Sequence, residues 1–104
     1  MDRAEVWWAD LPLPVGRRPV LILTRSAGVA VRNQVVVAQI TRTVHGIASE
    51  VSLTRADGMP HGCVVNCDVL LTVPKSRLVN RITKLSATKM NEVAQAIRFA
   101  LDLP

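Results

Sequence analysis

Tyrosine is absent from this chain of 104 residues, and only Trp7, Trp8 and Phe99 carry aromatic rings. A core built from this sequence is therefore aliphatic. The scarcity also weighs against a barrel that grips single strands by stacking bases on exposed rings. Trp7 and Trp8 are neighbours in a β-prone run, so only one of them can face outward. Long apolar runs are missing too. The longest, Pro19–Leu23 and Val35–Ala38, are strand-sized, well short of the ~20 residues that cross a bilayer. The first residues, MDRAEVWWADLP, contain acids and no signal-length apolar stretch. No membrane partner is expected, and a cytoplasmic location follows.

Cysteine is scarce: only Cys63 and Cys67 are present. On an extended segment the two stand roughly 13 Å apart, which excludes a disulfide between them. On a helix they would approach each other, with His61 nearby, but no second ligand pair stands at a metal-site spacing. Buried free thiols are the better reading, and no metal or cofactor is expected. Acids are outnumbered, 8 against 13 Lys+Arg, leaving a formal charge of +5. Ten of the thirteen are arginine. The planar guanidinium fork suits bidentate phosphate contact, so the charge points to a polyanionic partner. Excess charge kept for solubility gives the same balance.

The length suits a single domain over residues 1–104. Its pattern is several short strands followed by one helix. Glu5–Ala9 is β-prone and runs into the Pro/Gly loop Asp10–Gly16. Pro19 opens a buried strand through Thr24, and residues 25–33 (RSAGVAVRN) read as a loop. Gln34–Ile40 is a second buried strand leading into Thr41. Val51 and Leu53 alternate with Glu50 and Ser52, as in a strand with one face buried. Asp57-Gly58 marks a tight turn. Cys63–Cys67 is a strand that Val69–Val73 continues or pairs with, and Ile82 and Leu85 sit in a short last strand. Ser86 caps a helix to about Leu101, with Met90, Val93, Ala94, Ile97 and Leu101 inward and Lys89, Glu92, Gln95 and Arg98 in water. The fold class is mostly β with some α: a small, strongly bent barrel of the SH3-like, CcdB type with a C-terminal helix.

Four stretches, in order, resemble the MazF/PemK-type toxin endoribonucleases of bacterial toxin–antitoxin systems. Arg3–Leu11 is similar to the opening R-G-E-[VI]-W-x-x-x-L of that family. Arg18–Leu23 resembles its R-P-V-L-[VI]-[LV] strand, and Val35–Thr41 its strand ending in a threonine or serine. The fourth runs from Val64 to Lys84, with Asp68, Thr72, Lys75–Leu78 and Ile82, and Leu85-Ser86 and Met90 open the last helix. No single motif is specific, whereas the ordered set is. Four departures stand out. Ala4 replaces a glycine, the loop Asp10–Arg17 is short, Asp68–Thr72 lacks the usual glutamine and arginine, and Asn66 stands where some members have arginine.

The resemblance implies metal-independent cleavage of single-stranded RNA by the ribose 2′-hydroxyl, leaving 2′,3′-cyclic phosphate and 5′-hydroxyl ends. It also implies a homodimer and a cognate acidic antitoxin that blocks the RNA groove. Because the nucleophile belongs to the substrate, the protein supplies orientation, charge stabilisation and proton transfer. Arg18 is the first catalytic candidate by resemblance; from the residues alone a surface arginine is the leading reading. Thr41 is the second, able to donate a hydrogen bond to a phosphate oxygen, and the resemblance alone selects it over Thr43 and Thr72. Asp68 is either a general base or a structural partner, with the balance toward structure, and Glu5 has the same two readings. Arg17, Arg25, Arg42, Lys75, Arg77 and Arg81, with Arg32, form the candidate phosphate track. His45 and His61 lie beside glycines and read as turn residues. Two rivals remain: a non-catalytic nucleic-acid-binding barrel, and a gyrase poison of the same fold. The gyrase reading calls for an apolar tail after the helix, which ends at Leu103-Pro104.

Overall fold

The aliphatic runs become strands that bury side chains on both faces of one sheet. The computed structural model describes residues 1–104. Its strands are β1 (Glu5–Asp10), β2 (Arg17–Ile22), β3 (Gln34–Thr41), β4 (Glu50–Leu53), β5 (Cys63–Pro74) and β6 (Leu78–Lys84). They form a single sheet in the order β4-β5-β3-β2-β1-β6, antiparallel throughout. The helices are α1 (Ser26–Val31) and α2 (Ala87–Ala100). None of them is long and apolar enough to cross a membrane.

The expected barrel is a curled sheet that stops short of closing: β4 and β6 stay unpaired edges. What joins them is a turn. After β4 a 3₁₀ turn, Arg55–Asp57, is capped by Thr54 and ends at Gly58, whose φ is +91°. Thr83 of β6 donates its hydroxyl to the Asp57 carbonyl at 3.1 Å. A Cβ on Gly58 would stand 2.2 Å from Thr83 Oγ1. Position 58 therefore needs glycine twice over, for its backbone and for this close approach.

Alternation divides the core in two. Val6, Leu21, Ala38, Ile40 and Val65 point to one face, which α2 covers with Val93 and Ala96. Ala9, Val20, Ile22, Val35 and Val37 point to the other, with Val29 of α1. Ser86 caps α2 by accepting the Lys89 N–H at 3.1 Å. Asp102, at φ +55°, stands where a glycine commonly ends a helix. The Leu103 N–H then returns to the Arg98 carbonyl at 2.9 Å.

Several expectations need correction. Residues 25–33 are not a plain loop, since α1 lies within them. Six residues are too few to show a helical period, and the packing of Val29 fixes the turn. Gly28 is required there, because a Cβ would sit 2.9 Å from Thr24 Cγ2. Cys63–Val73 is one continuous strand, and β6 is longer than expected, with Leu85 just beyond it. On α2, Ala96 is buried and Leu101 is 52% exposed, because the helix ends before Leu101 can turn inward. Lys89 is half-buried, reaching the Ser52 carbonyl at 3.1 Å.

Candidate RNA-cleaving site

The site follows from where a ladder stops. Strand β2 pairs with β3 through Ile22↔Val37, Leu21↔Ala38 and Val20↔Gln39, and no further. The next residue, Pro19, has no N–H to donate, so the two strands part there. Arg18 on β2 and Thr41 at the end of β3 lie just beyond the last pair, where the two strands have separated. The space opened by the parting strands is a cleft of about 510 Å³. Both Arg18 and Thr41 line it, as do Arg17, Arg42, Trp8 and His61.

The wall of this cleft holds three guanidiniums and no carboxylate. Arg17 is tied to Asp10, Nε to Oδ1, at 3.1 Å. Arg18 and Arg42 make no ion pair. Arg18 is half-buried on its strand, so its head works from a fixed base. The Thr41 oxygen accepts the Thr43 N–H at 3.2 Å. That bond uses an acceptor site of the hydroxyl and leaves its hydrogen free to donate. An anion entering here meets two unpaired forks and one directed O–H.

The other candidate residues lie elsewhere. Asp68 sits outside the cleft, on an irregularity of β5. There the pairing jumps from Ala38↔Leu70 to Gln39↔Asn66, leaving Cys67–Val69 unmatched. Ser49, fully buried, donates to Asp68 Oδ2 at 2.5 Å, and the Cys67 N–H bonds the Ser49 carbonyl at 2.9 Å. Asp68 thereby locks the bulge to the segment before β4. Lys75 gives its ammonium to the Val29 carbonyl at 2.6 Å, and Arg81 pairs with Glu5 at 2.9 Å. Arg25 lies by a second depression at the far end of β3, together with Arg32. Arg77 is exposed, in the 3₁₀ turn before β6.

Glu5 belongs to a structural network. It accepts from Trp7 Nε1 at 3.1 Å, from the Asp2 N–H at 2.8 Å and from Arg81. Burial is the largest influence on this carboxyl and pushes it up. The bonds from Trp7, Arg81 and Asp2 together outweigh burial and hold it below its ordinary value of 4.5. Both cysteines are free and buried. Burial, then the Asp68 charge, pushes the Cys67 thiol up to about 11, so neither a thiolate nucleophile nor a metal ligand is favoured there.

From sequence, His61 reads only as a turn residue. It does lie in a turn, but the turn forms one wall of the cleft. No local signal reveals this, because the segment reaches the cleft only through the curl of the sheet. Trp8, too, takes its place in the wall by alternation, while Trp7 packs toward the α1-side core.

A family model for the PemK-like, MazF-like toxin of type II toxin–antitoxin systems matches residues 2–101. This chain belongs to the PemK/MazF toxin family. Similar MazF-like proteins come from mycobacteria. The probable endoribonuclease MazF2 of Mycobacterium tuberculosis is 41% identical over 99 residues, covering 94% of this chain and 95% of the relative. The solved M. tuberculosis toxin MazF-mt6 is 38% identical, with a TM-score of 0.89 over 96% of this chain and 98% of that one. A mycobacterial endoribonuclease solved in complex with its cognate antitoxin is 27% identical. It also gives a TM-score of 0.89, covering 100% of this chain and 97% of its own. The sheet with its C-terminal helix is thus the MazF toxin fold.

Proposed function

We propose that this MazF-like chain is a metal-independent endoribonuclease that cleaves single-stranded RNA within the cleft between β2 and β3. The 2′-hydroxyl attacks the adjoining phosphate, leaving a 2′,3′-cyclic phosphate and a 5′-hydroxyl. The observation that carries this reading is that Arg18 and Thr41 line one cleft without carboxylates. Arg18 offers two N–H groups to the phosphate oxygens, and Thr41 donates its hydroxyl hydrogen as charge develops. Arg17 and Arg42 hold phosphates on either side. Asp68 acts through the fold, by way of Ser49. DNA lacks the attacking hydroxyl and is bound without being cut.

The proposal includes one domain over the whole chain, a homodimer acting in the cytoplasm, and a cognate acidic antitoxin. A relative solved with its antitoxin supports the last element. A cleft lined by unpaired guanidiniums receives an acidic segment as readily as it receives RNA. Light scattering should give the mass of two chains, and an acidic antitoxin segment should compete with RNA.

The test is incubation with a long RNA in EDTA, with end-group analysis, beside Arg18→Ala and Thr41→Ala. The expected result is discrete fragments with cyclic-phosphate ends. Each variant should lose about 10²–10³ or more in rate, as when one charge-stabilising donor is removed. RNA bound but left intact by the wild type would favour a non-catalytic binding barrel. Intact RNA with an arrested gyrase would favour the gyrase poison.

A further inference from the structure

The proposed reaction, on which this inference rests, requires a group that takes a proton from the 2′-hydroxyl, and the cleft offers few. Arg17, Arg18 and Arg42 stay protonated at any working pH. The Thr41 hydroxyl is no base, and its oxygen already accepts the Thr43 N–H. Cys63 is buried, and its thiol is pushed up first by burial and then by the nearby charge of Asp57, against a smaller opposing effect of Arg42. No carboxylate lines the wall. One side chain remains, an imidazole, whose neutral ring carries an acceptor nitrogen.

The geometry points to His61 as the proton acceptor: from the segment between Gly58 and β5 it lines the same cleft as Arg18 and Thr41. Its ring makes no hydrogen bond within the protein, so both nitrogens are open to substrate. The ring is exposed, yet its backbone is tethered closely on both sides. Met59, two residues before it, is 4% exposed in the core, and Cys63, two residues after it, pairs with Leu53. The charged and titratable groups around it are Arg17 and Arg18 from β2, Arg42 after β3, Cys63 from β5, and Asp57 behind Cys63. The neutral imidazole takes the 2′-hydroxyl proton as the 2′-oxygen bonds to phosphorus. The bond from phosphorus to the 5′-oxygen breaks, and that oxygen takes a proton from water at the open mouth. The imidazolium then returns its proton to solvent.

The test compares wild type, His61→Ala, His61→Gln and, as a control, His45→Ala, whose loop is held by Glu50 away from the cleft. Three quantities are measured in EDTA: kcat/KM from pH 5 to 9, Kd for a 2′-O-methyl RNA, and rate with added imidazole. Both His61 variants should lose about 10²–10⁴-fold in kcat/KM. They should also lose the rise in rate through the imidazole range, while Kd stays within about threefold. Free imidazole should restore part of the rate to His61→Ala but not to His61→Gln, where the side chain fills the space. His45→Ala should match wild type. A His61→Ala rate within tenfold of wild type with the same pH profile would overturn the assignment. So would a rate loss that follows weakened Kd with no imidazole rescue. Wild-type protein that leaves RNA intact would instead overturn the cleavage reading, and this assignment with it.

Discussion

At the scale of single residues, Ala4 shows how competing small terms decide an outcome. Its φ is +74°, in the left-handed region that favours glycine. An L side chain in that region costs about 1–2 kcal/mol. Glycine would relieve this, but it would add about 0.4–1 kcal/mol of unfolded-state entropy and forfeit about 0.8 kcal/mol of buried methyl. The terms nearly cancel, so Ala4→Gly should shift the urea-derived stability by less than about 0.5 kcal/mol. A loss beyond about 1 kcal/mol would show that the methyl does more than fill space. Glu5 gives a pH signature. Its carboxyl is held below 4.5 when folded, so its contribution is full above that value and is lost as pH falls through the folded value. Because Arg81 is 49% exposed, Glu5→Gln should cost only about 1–2 kcal/mol at pH 7. Denaturation at pH 7, 4 and 3 should show the gap between variant and wild type closing downward. At this scale the sequence singles out Arg18 and Thr41 only through resemblance. The physical reason the two share a cleft, a ladder ended by Pro19, needs the β2–β3 register, which no local pattern reveals.

At the scale of elements, strands with strict alternation were legible and short or bent pieces were not. Val51 and Leu53 announced β4, whereas α1 carries no helical period and owes its form to Val29. The bulge at Cys67–Val69 was equally hidden, because Ser49 and Asp68 are distant in sequence. The junction between the 3₁₀ turn and β6 is the element most sensitive to a single methyl. Gly58→Ala adds a left-handed penalty to a clash with Thr83, and should cost about 3 kcal/mol. Pairing it with Thr83→Ser removes only the Cγ2 contact at 3.3 Å and leaves Oγ1 and Cβ in the way, so it should recover little of that loss. Chemical denaturation of the four proteins checks both statements, and full recovery would mean that neither the backbone strain at Gly58 nor the crowding by Oγ1 and Cβ is costly.

For the molecule as a whole, the charge balance predicted a polyanion partner, and the fold concentrates part of that charge in one cleft. Many of the thirteen cations have other work: Arg81 and Lys84 pair with acids, Lys75 holds α1, and Lys89 bridges Asp57 and Glu92. Net charge alone therefore overstates the RNA footprint. If Arg17, Arg18 and Arg42 make the main phosphate contacts, the slope of log Kobs against log salt should be about −2 for a single strand. Arg42→Ala should lower its magnitude by about 0.7. A slope several times steeper would mean that the footprint extends well beyond the cleft, to Arg25, Arg32 or Arg77.

The most direct measurement is a crystal structure with an RNA made uncleavable by a 2′-deoxy sugar at the scissile position. The account predicts that one phosphate lies within hydrogen-bond reach of both the Arg18 guanidinium and the Thr41 hydroxyl. A well-ordered RNA bound elsewhere, with the space between those two groups empty, would contradict it.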